Sequence, residues 1–176
     1  MMQEETRYEA DRFRVVKVTP EPGTGLPPKE LIRHPGAVVI VPWLAPDRLC
    51  LIRNLRLTVN ETLIEFPAGT RSPDEPHEIT AKRELEEETG YRADNWRFLG
   101  TMCMSPGILD ETMYVYEAHK LELHEQRLEE DERIETLDAS LDEILQWVAD
   151  GTIRDAKTIA ALMLCQAKQG PPTQVT

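Results

Sequence analysis

Three glutamates at helical spacing are the residues of this chain best suited to chemistry. Glu84, Glu87 and Glu88 fall at positions i, i+3 and i+4, so a helix would place their carboxylates on one face. Without a cation between them, like charges at this spacing destabilise a helix by roughly 0.2–0.5 kcal/mol per pair. Hard divalent ions such as Mg²⁺ take oxygen ligands of this kind. The spacing therefore predicts a metal platform on a helix, the alternative being a solvated acidic surface.

The residues on either side of the glutamates fit a loop–helix–loop unit. Gly69 follows a proline and an alanine and allows a backbone turn that side chains would obstruct. Pro76 suits the first helical turn, whereas Ser72-Pro73-Asp74-Glu75 reads as a capping box, and both starts remain open. Gly90 is a natural C-terminal stop. We predict a helix from about residue 76 to residue 89.

Two interactions of this helix follow from its spacing. Ala81 and Leu85 lie one turn apart and are expected to face the core. Arg83 precedes Glu87 by four residues, so an ion pair between them can hold the Glu87 carboxylate in place.

Written as Gly-x5-Glu-x7-Arg-Glu-Leu-x-Glu-Glu-x-Gly-Tyr, the segment from Gly69 to Tyr91 resembles the signature of the Nudix hydrolase family. Every fixed position of the signature is present. The resemblance implies an α/β fold, namely a Nudix α/β/α sandwich with a mixed β-sheet and an N-terminal β-strand extension. It also implies that Gly69, Arg83 and Gly90 have structural roles within the signature.

The resemblance further implies a metal site. Glu84 and Glu88 should be ligands of a divalent ion, Glu87 a ligand or a bridging group, and the backbone carbonyl of Ala68 an additional ligand. The expected ion is Mg²⁺, with Mn²⁺ as an alternative. Such an ion polarises a phosphoryl oxygen and activates water near neutral pH.

Residues 30–165 resemble the ADP-ribose pyrophosphatase branch of the family. The segments that carry this likeness are Glu65-Phe-Pro-Ala-Gly69, Pro106 at fifteen residues past the signature, and Gly151–Ile159. The implied reaction is hydrolysis of ADP-ribose to AMP and ribose 5-phosphate. The alternatives are another nucleotide sugar or a dinucleotide, such as GDP-mannose or NADH, and a non-catalytic domain that binds nucleotides.

Four side chains are candidates for catalysis or substrate binding in this branch. Glu111 matches a loop glutamate that serves as general base, and Glu87 is the second candidate for that role. Arg56 matches a phosphate-contacting arginine, whose planar fork suits phosphate oxygens. Arg33 is a weaker candidate for substrate binding.

Several other positions depart from the branch pattern or lack a pattern. Asn54 replaces a glutamine, which leaves the local geometry open, and Lys29 replaces an aromatic residue, which leaves the contact to the base open. The histidines show no ligand spacing and receive no role; they are His34, His77, His119 and His124.

The chain is expected to divide into an N-terminal β extension over residues 1–35, a Nudix domain over 36–168 and a disordered tail over 169–176. The extension resembles strands that relatives exchange across a homodimer interface, so we expect a homodimer. Strands are predicted at 8–18, 37–42, 48–53, 62–66, 96–99 and 113–118, loops at 19–28, 105–111 and 122–137, and helices at 141–148 and 158–165.

The composition limits the binding partners and the cellular compartment that we expect for this chain. The 176 residues carry a formal charge of −12, which argues against binding of nucleic acid. No apolar run approaches the ~20 residues that span a membrane, and the polar, acidic N-terminus is unlike a signal peptide. Three widely spaced cysteines indicate reduced thiols in a cytoplasm.

Overall fold

The computed structural model describes residues 2–128 and 132–169. Its strands are β1 (Gln3–Glu9), β2 (Arg14–Thr19), β3 (Lys29–Arg33), β4 (Ala37–Ala45), β5 (Arg48–Arg56), β6 (Glu61–Glu65), β7 (Ala68–Thr70), β8 (Tyr91–Cys103), β9 (Thr112–Leu123) and β10 (Ile134–Ser140). Its helices are α1 (His77–Thr89), α2 (Leu141–Ala149) and α3 (Ala156–Gln169). Among the described residues, no helix is both long and apolar enough to cross a membrane.

A seven-stranded mixed sheet forms the centre of the molecule. Its main path runs β10-β5-β4-β9-β8, while β6 pairs with β5 and β7 pairs with β4. The pairing of β4 with β9 is parallel, and the other pairings are antiparallel. The apolar run from Ala37 to Val41 is buried throughout because β4 lies inside this sheet and both of its faces are covered.

Successive residues of β4 point to opposite faces of the sheet, and each face has its own apolar cluster. Val38 and Ile40 pack with Ala81 and Leu85 of α1. On the other face, β4 joins a larger cluster that includes Ile144 of α2 and also Leu162 and Cys165 of α3. The sheet is therefore enclosed between helices, which confirms the predicted α/β/α sandwich and the predicted burial of one face of α1.

A second sheet precedes the central one. Strands β1, β2 and β3 form a three-stranded antiparallel sheet. The prediction of a single strand over 8–18 is wrong, because the chain reverses where the Ala10 N–H donates to the Phe13 carbonyl oxygen at 2.9 Å. Asp11 is the one residue of this turn whose type is frequent in turns, and a single aspartate within an apolar and charged run is a weak signal. The predicted loop over 19–28 lies between β2 and β3, and only its first residue belongs to a strand.

The acidic segment 122–137 is not the single solvated loop that its charge suggested. Strand β9 continues to Leu123, and β10 begins at Ile134 and pairs with β5. Ile134 and Ala139 are buried, whereas most of the intervening residues of β10 are exposed. The two buried positions hold the strand against the sheet in spite of its charge. In the predicted tail, Gln169 ends α3, and residues 170–176 lie outside the described part of the chain.

None of the three cysteines forms a disulfide within the described part of the chain. Cys50 and Cys165 are buried, and Cys103 is exposed at the end of β8. Burial raises the pKa of both the Cys50 thiol and the Cys165 thiol to about 12.

Candidate active site

Helix α1 presents its glutamates at the edge of the core. The helix begins at His77 with Pro76 in the N-cap position, and it ends at Gly90, whose φ of 74° lies in the left-handed region. Glu84 and Glu88 are only 8% and 2% exposed, because they flank the face that carries Leu85. Glu87 is more open to solvent. The three carboxylates therefore differ strongly in burial although their spacing places them near one another.

The turn before α1 passes directly over these carboxylates. A Cβ atom at Gly69 would lie 1.9 Å from Cδ of Glu84, so only glycine fits beside that side chain as it stands. The Ala68 N–H donates to Oε2 of Glu88 at 2.8 Å. The Ala68–Gly69 backbone thus holds Glu88 by a hydrogen bond and makes close contact with Glu84.

Arg83 provides positive charge between the acidic side chains. Its Nη1 lies 2.8 Å from Oε1 of Glu84 and 2.8 Å from Oε2 of Glu87. Its Nη2 is 3.2 Å from Oε2 of Glu75, which also accepts a hydrogen bond from Thr80 Oγ1. The predicted Arg83–Glu87 ion pair is confirmed, and Arg83 additionally bridges α1 to the preceding turn.

Burial has the largest effect on the pKa of Glu84 and of Glu88, the two inner glutamates of the helix. It raises the pKa of Glu84 to about 7, although the charge of Arg83 opposes this effect. The pKa of Glu88 is raised well above its ordinary value, first by burial and then by the neighbouring carboxylates of Glu84 and Glu132. Both groups would ionise more readily with a cation beside them.

The carboxylates do not converge on one point in this conformation. Within residues 2–128 and 132–169, no three acidic, histidine or cysteine side chains are arranged to hold one metal ion. The reason is visible in their hydrogen bonds, since Glu84 and Glu87 turn toward Arg83 and Glu88 turns toward the Ala68 N–H. These side chains would have to reorient before an ion could be coordinated.

A cleft of about 470 Å³ connects the acidic helix to more distant parts of the chain. Of the predicted site residues, it is lined by Arg56, Ala68, Gly69, Arg83, Glu84, Glu88 and Glu111. It is also lined by charged residues to which the sequence pattern assigned no role, namely Asp11, Arg12, Arg71, Glu132 and Lys157. Of the predicted catalytic and substrate-binding residues, Glu87 and Arg33 do not line it.

The basic wall of this cleft is organised by one buried carboxylate. Glu65 is 1% exposed, and its two oxygens accept hydrogen bonds from Nε and Nη2 of Arg56 at 2.8 and 2.6 Å. Lys157 Nζ lies 2.5 Å from the same carboxylate. A bidentate arginine–carboxylate pair fixes the plane of the guanidinium group. Arg56 and Lys157 therefore stand side by side in the cleft with their positions fixed by Glu65.

A family model described as "NUDIX domain" matches residues 32–162 of the chain. The chain belongs to the Nudix family. The protein is a Nudix hydrolase, and enzymes of this family generally need divalent metal ions. The signature resemblance found in the sequence is thereby confirmed.

Relatives with assigned activities are similar to most of this Nudix hydrolase. An ADP-ribose pyrophosphatase of Bacillus subtilis is 34% identical over 148 residues, covering 83% of this chain and 80% of the relative. A GDP-mannose pyrophosphatase of Klebsiella pneumoniae is 33% identical over 143 residues, covering 76% of this chain and 72% of the relative. A crystal structure described as an ADP compounds hydrolase has a TM-score of 0.79 at 26% identity, covering 97% of this chain and 95% of that one.

Of the five charged cleft residues without a predicted role, Glu132 and Lys157 were missed for different reasons. Glu132 belongs to an acidic run that reads as a solvated loop, and only the fold brings it to Glu84 and Glu88. Lys157 lies inside the Gly151–Ile159 segment that carried part of the family likeness, so a signal for it was present. The family pattern in that segment assigns no binding role to the positive charge of Lys157.

Proposed function

We propose that this Nudix hydrolase cleaves the pyrophosphate bond of a nucleoside diphosphate sugar, with ADP-ribose as substrate and AMP and ribose 5-phosphate as products. The observation that carries the proposal is the pairing of opposite charges across one cleft. The carboxylates of Glu84 and Glu88 line the same cleft as Arg56 and Lys157, which form a basic wall that suits phosphate. The similar ADP-ribose pyrophosphatase of Bacillus subtilis supports the choice of substrate.

The inner carboxylates fit a divalent ion, for which we propose Mg²⁺. Glu84, Glu88 and the Ala68 carbonyl are the groups that would hold it, with Glu87 and Glu132 as further candidates. Two features support the fit: burial has raised the pKa of both inner glutamates, and Gly69 leaves room for the Glu84 carboxylate beside the backbone. An ion bound there would offset phosphate charge and lower the pKa of water.

The protein's own groups would bind the diphosphate and accept a proton. Arg56 and Lys157 would donate hydrogen bonds to phosphate oxygens, and Glu65 would keep both donors in place. Glu111 would take the proton of the attacking water, because its carboxylate lies in the cleft and is only 17% exposed. Glu87 is less suited to this step, since it is paired with Arg83 outside the cleft lining.

A second candidate changes the substrate and keeps the chemistry. The similarity to a GDP-mannose pyrophosphatase favours GDP-mannose as the alternative nucleotide sugar. The phosphate wall and the acidic helix contact groups that all nucleotide sugars share, so they do not discriminate between the two.

The test is a substrate panel assayed with the purified protein. The protein is incubated with MgCl₂ and ADP-ribose, GDP-mannose or NADH, and the nucleotide monophosphates are separated and quantified. We expect AMP from ADP-ribose, at a rate that falls at least 100-fold in E88Q, because this substitution removes an ionisable ligand candidate. Rapid turnover of GDP-mannose without turnover of ADP-ribose would replace the substrate, and binding without any turnover would overturn the enzymatic proposal.

We also propose a homodimer formed through the N-terminal sheet. Every residue of β1 is exposed, so this strand contributes no buried face within one chain. Exposed strands gain stability when a further layer covers them. Size-exclusion chromatography with light scattering tests the proposal, and a mass equal to one 20.1 kDa chain would contradict it.

A further inference from the structure

The loop that carries Glu111 is attached to the N-terminal sheet. The Ile32 N–H of β3 donates to the Ile108 carbonyl oxygen at 2.8 Å, and the Asp110 N–H donates back to the Ile32 carbonyl oxygen at 3.1 Å. The loop thus extends the edge of β3 that β2 leaves unpaired, through a parallel bridge between Ile32 and Leu109. The position of Glu111 therefore depends on a sheet outside the central sandwich.

One side chain strengthens this attachment at the residue next to Glu111. Oδ1 of Asp110 accepts a hydrogen bond from the His34 N–H at 2.8 Å. Oδ2 of Asp110 accepts one from Nη1 of Arg33 at 3.0 Å. Arg33 is held in turn by Glu4 of β1, at 2.8 Å from its Nη2. A single carboxylate thereby fastens the loop to two consecutive residues at the end of β3.

Arg33 has contacts within its own chain that the prediction of a substrate contact did not include. Its guanidinium group is engaged by Glu4 and Asp110, and it does not line the cleft. His34, which the sequence pattern left without a role, has its Nδ1 3.7 Å from Oε1 of Glu111. Asp110 and Glu111 therefore both contact residues at the end of β3 or directly after it.

We propose that Asp110 is a positioning residue, which holds the loop backbone so that the Glu111 carboxylate stays in the cleft. The inference rests on the proposed function, in which Glu111 accepts a proton from water. Consecutive Cα atoms are about 3.8 Å apart, so a shift of the backbone at Asp110 is passed on to Glu111. A displacement of about 1 Å in a catalytic group can reduce a rate on the order of 100-fold.

Stability and catalysis should separate in variants of this contact. Arg33 and Asp110 are both partly exposed, and exposed ion pairs contribute little to the free energy of unfolding. A purely structural role would therefore show as a small change in melting temperature and no change in kcat. A positioning role lowers kcat and leaves KM nearly constant, because the phosphate wall and the acidic helix are untouched.

The experiment compares D110A, D110N and R33Q with wild type, using whichever nucleotide sugar the wild-type protein hydrolyses. D110A removes both hydrogen bonds of the Asp110 side chain, and D110N keeps the acceptor for the His34 N–H. R33Q removes the arginine donor to Asp110 together with the pair that Arg33 forms with Glu4. We expect kcat to fall about 100-fold in D110A and about 10-fold in D110N and R33Q, with KM within about two-fold of wild type. D138N is the matched control, since it removes an exposed Arg48–Asp138 pair of 2.9 Å that does not line the cleft.

The outcomes distinguish this inference from the proposed function. If the wild-type protein hydrolyses none of the substrates in the panel, the proposed function is wrong, whatever the variants do. With an active wild type, unchanged kcat in D110A overturns the positioning role, as does full activity of E111Q. An increase of KM without a fall in kcat in R33Q would instead restore the contact of Arg33 with substrate and overturn the inference.

Discussion

At Gly69 the backbone lies so close to the Glu84 carboxylate that a substitution should reduce activity and leave stability almost unchanged. A methyl group there would meet the carboxyl end of Glu84, which can rotate away at little cost. We expect G69A to fold with a melting temperature within a few degrees of wild type and to lose about 100-fold in kcat/KM, because Glu84 is displaced. Steady-state kinetics and thermal unfolding check both parts, and a fully active G69A would contradict the close contact.

Glu65 is the residue whose loss should affect both binding and stability. Replacing it with glutamine leaves Arg56 and Lys157 without their shared counter-ion, and breaking a buried ion pair costs on the order of 3 kcal/mol. We expect E65Q to lower the melting temperature and to raise KM for the nucleotide sugar. The matched control is E61Q on the same strand, which removes an exposed pair with Arg154 and should change neither quantity.

At the scale of single elements, the N-terminus of α2 is specified by two residues that lie close together in the sequence. Ser140 and Glu143 form a complete capping box, in which each side chain bonds the backbone N–H of the other residue. We expect S140A to reduce the free energy of unfolding by about 1 kcal/mol. Urea unfolding measures the change, and kcat should stay constant because Ser140 does not line the cleft.

The elements that sequence reasoning predicted well are those whose signal is local. Helix α1 is predicted almost to the residue, because its apolar spacing, its proline and its terminal glycine lie within about fifteen positions. Strand β4 is also predicted from its apolar run, but the prediction ends at Pro42 whereas the strand continues to Ala45. Strand β10 was missed, because only Ile134 and Ala139 anchor an otherwise exposed and partly acidic strand.

The parts of the site that could not be predicted depend on distant pairing. Glu65 and Lys157 are 92 positions apart and meet where the end of β6 lies beside the start of α3, next to the bond from the Phe66 N–H to Thr158 Oγ1. Arg33 and Asp110 are 77 positions apart, and nothing local in either segment indicates the other. Such contacts follow from the tertiary fold, which periodicity does not encode.

At the scale of the whole molecule, the buried glutamates couple stability to pH and to metal. The pKa of Glu84 is about 7 in the folded protein and about 4.5 without perturbation, so between these values the folded state holds the extra proton. Its contribution to stability is therefore lost as pH rises through this window. We expect the metal-free protein to melt at a lower temperature at pH 8 than at pH 5.5 for this reason.

A divalent ion should reverse that trend, since it favours the ionised carboxylates. We expect MgCl₂ to raise the melting temperature more at pH 8 than at pH 5.5. The variant E84Q isolates the effect, because it removes the titrating group while it keeps the side-chain shape. Equal stabilisation of wild type and E84Q by Mg²⁺ at both pH values would contradict the coupling.

Cys103 is a site where a fluorescent label can be attached without any substitution in the protein. The thiols of Cys50 and Cys165 are buried with raised pKa values, so a maleimide reagent should react at Cys103 alone. Cys103 is the last residue of β8 and directly precedes the loop that Asp110 fastens to β3. A fluorophore attached there would report the motion of that loop during turnover in a protein with its native sequence.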